Sequence, residues 1–538
     1  MTVAGDDARV LVVGAGPVGL TAAHELARRG IAVRLVDRAP GPATTSRATA
    51  THARTLEIYE QMGLLADLLP RGQRAENFSI HMRGRVLIRF GTDYSALPTR
   101  FPFTLQVDQV ITEEVLRERV RRLGVDIEWG VTLESLRQQG NRVYPALRHS
   151  DGREETAQAG WLVGADGAHS TVRSRLGLRL VGDSLETWLV ADAIVDADLP
   201  RDSLHWVHTG TGTVLLVPFP EEGKWRLLDT EDTGSAEDPD AVARRFSEKI
   251  GRALRRPVHV HRPSWLSVFT IQQRMIQQMR VGRCFVAGDA AHVHSPASGQ
   301  GMNTGIQDAY NLAWKLADVI HGNAAEELLD TYGEERVPIG ETLLHSTKTA
   351  TALIALRNAA APVVMPLGLG IVDAIKPLKR KIEQKMMRTM SGLALNYRES
   401  SLSLRAPEVP GGFAPGDRIS CGDGTVRDHL GWQRLVSELT EPGWLVLLFA
   451  ETARDVAEEV NLRFRGVTAH VVGSSELVDP TGRVRADFTA SEDSFAVIRP
   501  DGYLAARGTL GDLPAVLRRL HLLPVPMPAD AVTAEEIR

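Results

Sequence analysis

At 538 residues with 43% hydrophobic side chains, the chain carries more apolar material than one ordinary core holds, so two or three domains are expected. Its 62 basic and 67 acidic residues nearly cancel to a formal charge of -5, which argues against a nucleic-acid or anionic-membrane partner and for a small molecule. Cys284 and Cys421 form no CxxC pair, which leaves no disulfide framework or thiolate metal site.

In chain order, the amino terminus MTVAGDDARVLVVGAG lacks a basic segment leading into an apolar one with a cleavage site, so a cytoplasmic protein is expected. Arg9 to Val13 is an apolar β-branched run, followed by a Gly-rich turn, an Ala/Leu-rich helix Val18 to Arg29, Gly30 as its stop and a second strand Val33 to Val36, which together make a βαβ unit. Helical periodicity recurs at Thr55 to Met62, Gln109 to Leu123, Ile306 to Ile320 and Glu326 to Ser346, and Trp161 to Val163 and Cys284 to Ala287 read as short buried strands. Between these pieces, Glu186 to Asp196, Leu204 to His208, Thr213 to Phe219 and Lys224 to Asp229 are short runs separated by Pro, Gly and Asp, the pattern of an antiparallel sheet. Ala352 to Ile375 is the most membrane-like stretch, but Arg357, Asn358, Pro362, Pro366 and Asp373 interrupt it, and it reads as a partly buried helical segment with no membrane span. After Tyr397 a Pro/Gly-rich passage leads into a helix Val426 to Leu430, a strand Trp444 to Phe449 and a hairpin Ser494 to Arg507 turning at Pro500-Asp501-Gly502.

Three segments carry chemistry. Gly14-Ala15-Gly16-Pro17-Val18-Gly19 sits between strand and helix, where glycine lets a pyrophosphate approach backbone N–H groups at a positive helix end, and Asp37 ends the next strand, where a carboxylate accepts from ribose hydroxyls. Gly164-Ala165-Asp166-Gly167 ends a buried strand in an acidic turn, which alone is no more than a turn. Cys284 to His292 is a strand ending at Gly288-Asp289, and it runs into the glycine-containing stretch Ser295 to Gly305 that opens a helix; bare N–H groups there stabilise negative charge. The histidines at 292 and 294 lack a third ligand at a fitting spacing, and no metal is expected.

In wording and order these three segments resemble the class A FAD-dependent monooxygenases, the family of p-hydroxybenzoate and phenol hydroxylases, and above all the bacterial aromatic-polyketide hydroxylases. The resemblance covers about residues 8 to 350. A weaker likeness continues to Val497-Ile498-Arg499-Pro500-Asp501-Gly502-Tyr503, similar to a hairpin of the thioredoxin-like extension of such enzymes. It implies an α/β chain with a Rossmann-like FAD domain (1–76, 101–181 and 278–398), an inserted antiparallel substrate sheet (77–100 and 182–277) and a thioredoxin-like carboxy-terminal domain (399–538).

By the same resemblance Gly14, Gly16 and Gly19 hold the pyrophosphate, flanked by Ala15, Pro17 and Val18, and Asp37 holds the adenosine ribose beside Arg38 and Val131. Arg47 and Arg54 match arginines near the cofactor, Gln106 the glutamine on its chain, Asp166 the brace of the acidic turn and Asp289 the ribityl ligand. Pro296 matches the proline whose carbonyl lies near flavin C4a, and Gly299, Gly301, Met302 and Asn303 the loop under the ring. Ser298 departs from the usual glycine. The activity implied is NADPH- or NADH-driven hydroxylation of an aromatic or polyketide substrate by O2 through a flavin C4a-hydroperoxide, and no side chain is assigned as a base. Trp206, His208, Trp225 and Arg226 are substrate-side candidates, although alternation alone does not say which face of the sheet is inward. Baeyer-Villiger insertion or epoxidation by the same cofactor, a non-catalytic FAD-binding redox-responsive role, and the oligomeric state, a homodimer included, stay open at this point.

Overall fold

The computed structural model describes residues 9–45, 48–91, 97–210, 212–231, 238–294, 299–355, 361–404, 412–421 and 426–525. The chain forms two compact units, residues 1–310 with 336–395, and residues 311–335 with 396–538.

In the first unit, the β-branched run Val10–Val13 is buried along its whole length, and Pro17, with its φ preset for a helix, opens Pro17–Arg28. Among the described residues these belong to a six-stranded sheet in the order Arg280–Val281, Cys284–Val286, Trp161–Gly164, Val10–Val13, Val33–Asp37, Ile127–Trp129. It is parallel except for its short first pair. Val13 pairs with Gly164 and Gly164 with Val286, so the three motif segments leave the sheet side by side at its carboxyl edge. Ligands bind at that edge in open α/β sheets.

A second, larger sheet runs His292–Val293, Trp265–Met275, Val181–Asp196, Lys224–Asp229, Thr213–Pro218, Ser203–His208, Asn77–Met82, Arg85–Gly91. The antiparallel expectation is corrected at one place: Ser203–His208 and Asn77–Met82 pair parallel, from Ser203 with Asn77 to His208 with Met82. The physical reason is connectivity. Neighbours joined by a tight turn must run antiparallel, whereas between Met82 and Ser203 the chain passes through the other sheet and no turn dictates direction.

Alternation divides this second sheet into two faces. Leu216, Trp225 and Leu227 pack under the helix Pro239–Leu254 with Val242, Phe246 and Ile250. Leu215, Val217 and Leu228 form the other face with Trp188 and Trp206.

The second unit is built on a sheet ordered Val467–Val471, Trp444–Leu448, Ser494–Ile498, Leu504–Thr509, whose first pair is parallel and the rest antiparallel. The short helix expected at Val426 is a 3-10 turn, Val426–Asp428, followed by the helix Leu430–Glu438. Asn311–Glu335 belongs to this unit, and Trp314 and Leu328 from it share a core with Val446, Leu448 and Val497. Among the described residues no helix is long and apolar enough to cross a membrane; the stretch Ala352 to Ile375 is divided between the ends of the helices Asp330–Ala355 and Ala361–Ala374.

Candidate cofactor and substrate site

The three motif segments interlock through missing side chains. Gly14 has φ +107°, and a Cβ there would lie 2.3 Å from the Ala165 carbonyl oxygen, so the first turn and the acidic turn touch backbone to backbone. A Cβ on Gly305 would lie 2.6 Å from Val18 Cγ2 and 3.0 Å from Gly288 Cα, which brings the helix Gly301–His321 against both the first and the third motif. Gly16 is different: a Cβ there would meet no protein atom within 4 Å. No contact within the protein requires a glycine there. Gly16 also sits at the N-cap of Pro17–Arg28, where no side chain caps the helix.

Around these turns lies a cavity of about 370 Å³. At one end it is lined by Gly16, Pro17, Val18, Asp289, Gly299, Gly301 and Met302. Elsewhere its wall is the sheet face carrying Leu204 and Trp206, Leu215 and Val217, and Arg226 and Leu228, residues two apart on three neighbouring strands. Gln106 is buried in the lining, and its Oε1 has no hydrogen-bond partner. A buried, unsatisfied carbonyl is costly unless a ligand donates to it. Beside this cavity, Gly14, Gly16, Asp37, Arg38, Val131 and Asp166 line a second pocket.

Asp37 accepts from the Ala15 N–H at 2.6 Å and the Ala39 N–H at 2.8 Å, so its carboxylate is held in place and keeps lone pairs for a hydroxyl ligand. Asp166 accepts from Ser170 Oγ and from the Thr171 and Val172 N–H groups, which makes it the brace at the start of Thr171–Arg175. Asn303 does not line the cavity; its amide donates to the Ala50 and Gly299 carbonyls and accepts from the His52 N–H, tying strand to loop.

Arg54 is buried rather than on a solvated face and lines neither pocket; its Nη1 donates to Glu57 at 3.0 Å. Arg226 is buried in the cavity wall, and its Nε and Nη2 donate side-on to Asp192 at 2.8 and 2.7 Å. Trp225, its neighbour, packs on the opposite face, and His208 is buried outside the lining. Arg47, Pro296 and Ser298 lie outside the described residues.

Other residues that build the site were not singled out from sequence. Thr49, Ala50, His52, Phe78 and Met390 line the cavity, with no motif to mark them. Asp308, on the helix Gly301–His321, accepts from the Gly288 N–H, His292 Nε2 and Arg336 Nε at 3.1, 2.6 and 2.7 Å. Burial alone would raise its pKa, but Arg336 and then His292 outweigh that and hold it low. His292 is therefore a tie between the third motif and its helix. Asp308→Ala removes a buried carboxylate from the buried cation Arg336, and a loss of about 3–5 kcal/mol is expected in chemical denaturation. An unchanged midpoint would contradict that role.

The chain matches the FAD binding domain family over residues 7–347. It belongs to that family. It is 56% identical to the 6-methylpretetramide 4-monooxygenase of Streptomyces rimosus, over 96% of this chain and 94% of that one. Pentachlorophenol 4-monooxygenase of Sphingobium chlorophenolicum is 32% identical over 94% and 95%. Among solved structures, aklavinone-11 hydroxylase in a ternary complex with FAD and aklavinone superposes with a TM-score of 0.74 at 26% identity, covering 97% of this chain and 99% of that one. The protein is an FAD-dependent monooxygenase with a mixed α/β fold, and its family draws reducing equivalents from NAD(P)H.

Proposed function

We propose that this monooxygenase hydroxylates a phenolic aromatic polyketide of the 6-methylpretetramide kind, seated between the flavin and the apolar sheet face. The observation that carries this reading is one cavity with two unlike ends: backbone turns and a helix end for a cofactor, and Leu204, Leu215, Val217 and Leu228 for a large apolar body.

The residues present fit FAD. The open space at Gly16 suits a pyrophosphate, the unpartnered Gln106 Oε1 suits a donor from the cofactor, and Asp289, exposed on its turn, suits the ribityl hydroxyls. Gly14, Gly16 and Gly19 would hold the pyrophosphate, and Asp37, with Arg38 and Val131 beside it, the adenosine ribose. Arg54, whose Nη1 donates to Glu57, would stand near the cofactor, as its match to the family arginine implies. When bound, FAD supplies hydride acceptance from NADPH or NADH and activation of O2. The start of the helix Gly301–His321 would stabilise negative charge placed against it, and the apolar wall would exclude water during oxygen transfer. Trp206 and Arg226 are the substrate-side candidates in the wall, with Asp192 orienting Arg226.

We further propose the three-part division given by the family resemblance, with the carboxy-terminal part, 399–538, thioredoxin-like. Its strand order and the alternation of parallel and antiparallel pairs support this, and in the absence of a CxxC its role is structural. A cytoplasmic setting fits the two buried cysteines, which form no disulfide.

The test is NAD(P)H oxidation by the FAD-loaded protein with and without a hydroxylated tetracyclic polyketide. Substrate is expected to raise the rate at least about tenfold, as binding energy commits the site to reduction. A rate indifferent to every phenolic polycycle offered would overturn the reading.

A further inference from the structure

A third, smaller cavity of about 60 Å³ adjoins the helix Gly301–His321, bounded by Asn303, Thr304, Gln307, Ile339 and Leu343. Met390 is in the lining of this cavity and also of the large one. It is the last residue of the helix Lys376–Met390, whose end is fixed at the site: the Thr389 carbonyl accepts from Gln300 Nε2 at 3.0 Å, and the Ser391 carbonyl accepts from the Arg54 N–H at 3.0 Å. The side chain of Met390 thus stands between two spaces on a backbone that is held.

Met390 is backed by the same kind of residue. Ile382, Met386 and Met390 are four apart and share one helix face, and with the buried Met387 they belong to one apolar cluster with Phe78 and Leu204, which also line the large cavity. Much of the remaining apolar wall, Leu204, Trp206, Leu215, Val217 and Leu228, stands on hydrogen-bonded strands, and Met302, the other thioether in the lining, is buried on the helix Gly301–His321. An unbranched thioether has three rotatable bonds and fills irregular gaps, so this is the side of the cavity that can change shape.

We propose that Met390, supported by Met386 and Met387, sets the size of polycycle that the site accepts: its side chain turns toward the small cavity to admit a longer ring system and closes the partition for a shorter one. The inference rests on the proposal that this cavity holds the substrate.

Calorimetric titration of the FAD-loaded protein with two probes, a dihydroxyanthraquinone with three fused rings and a hydroxylated naphthacenequinone with four, measures it without turnover. The ratio of the two Kd values is the readout. Met390→Ala is expected to shift the ratio about tenfold towards the four-ring probe and Met390→Phe about tenfold towards the three-ring probe, the scale of a methylene-sized change in an apolar pocket. Should the alanine variant fail to fold, Met390→Leu keeps the volume but stiffens the side chain, and is expected to weaken the four-ring probe alone. Ratios within twofold of wild type in all folded variants, with both probes still binding, would overturn the role of Met390 and leave the substrate reading standing. Failure of wild-type protein to bind either probe would instead overturn the substrate reading, and this inference with it.

Discussion

Replacing Gly16 by valine is expected to give a folded protein that purifies without flavin. The position separates two roles that glycine plays within one motif. At Gly14 and Gly19 an added Cβ would strike the Ala165 and Gly14 carbonyl oxygens at 2.3 and 1.8 Å, so those substitutions damage the turn itself. At Gly16 the added atoms meet no protein and its backbone is extended, with φ -75° and ψ -177°, which any residue adopts. The helix Pro17–Arg28 should form unchanged. What the valine would occupy is the approach to the helix end, where backbone N–H groups receive a pyrophosphate. The expected loss in FAD affinity is at least about 100-fold, equivalent to about 2.7 kcal/mol. Circular dichroism and equilibrium dialysis against FAD check both halves of the statement. A Gly16→Val protein that keeps stoichiometric flavin would show that the cofactor does not use this turn.

The second large effect is expected at Glu335. Its two oxygens accept from Lys315 Nζ at 2.7 Å, Arg499 Nη1 and Nη2 at 2.6 and 2.9 Å, Asn311 Nδ2 at 2.8 Å and Ser400 Oγ at 2.7 Å, all within the second unit. Arg499 also donates to Asp501 at 2.9 and 2.7 Å and lies over the rings of Tyr397 and Tyr503. Glu335, Lys315 and Arg499 are fully buried. In Glu335→Gln an amide NH2 replaces one acceptor and turns donor against donor, and a cation loses its compensating charge. A cost of about 3–5 kcal/mol is expected, because breaking one partner out of a buried pair leaves the others desolvated. In a unit of this size that lowers the melting temperature by about 6–20 °C.

The same carboxylate sets an acid limit. Burial alone would raise its pKa, but Arg499 first and Lys315 second outweigh burial and hold it far below the ordinary value. A group whose folded pKa is depressed contributes stability in full above its unfolded pKa, about 4.3, and loses that contribution as pH falls towards the folded value. Stability should therefore fall steeply below pH 4.3 in wild type and less steeply in Glu335→Gln, measured by urea titration from pH 6 to 3. Equal slopes would contradict the assignment.

The parts of this molecule written in the sequence are those built from local pattern. The β-branched run before Gly14 and the apolar runs ending at Gly164 and Ala287 declare parallel strands and their turns, because a buried strand and its glycine exit are contiguous in the chain. The Pro500-Asp501-Gly502 turn declares its hairpin for the same reason. What stayed hidden depends on partners far away in sequence. The bonds of the Asn303 amide to Ala50 and His52, some 250 residues away in the chain, could not be read from its place in the motif. Glu335, Lys315 and Arg499 read as ordinary charges on helices and a turn, and only the fold buries them together. Trp225 and Arg226 were indistinguishable while the facing of their strand was unknown; a one-residue difference sends one to the helix-covered core and the other to the cavity. The parallel pairing of Ser203–His208 with Asn77–Met82 was hidden likewise, since no turn connects them.

The most direct measurement of the central claim is mass spectrometry of the product formed from a hydroxylated tetracyclic polyketide by the FAD-loaded protein with NADPH or NADH under 18O2. The account predicts one 18O atom per product molecule on an unchanged carbon skeleton, with the second oxygen atom in water. Product without 18O, or oxidation of the nicotinamide nucleotide with no oxygenated product despite bound FAD and substrate, would contradict it.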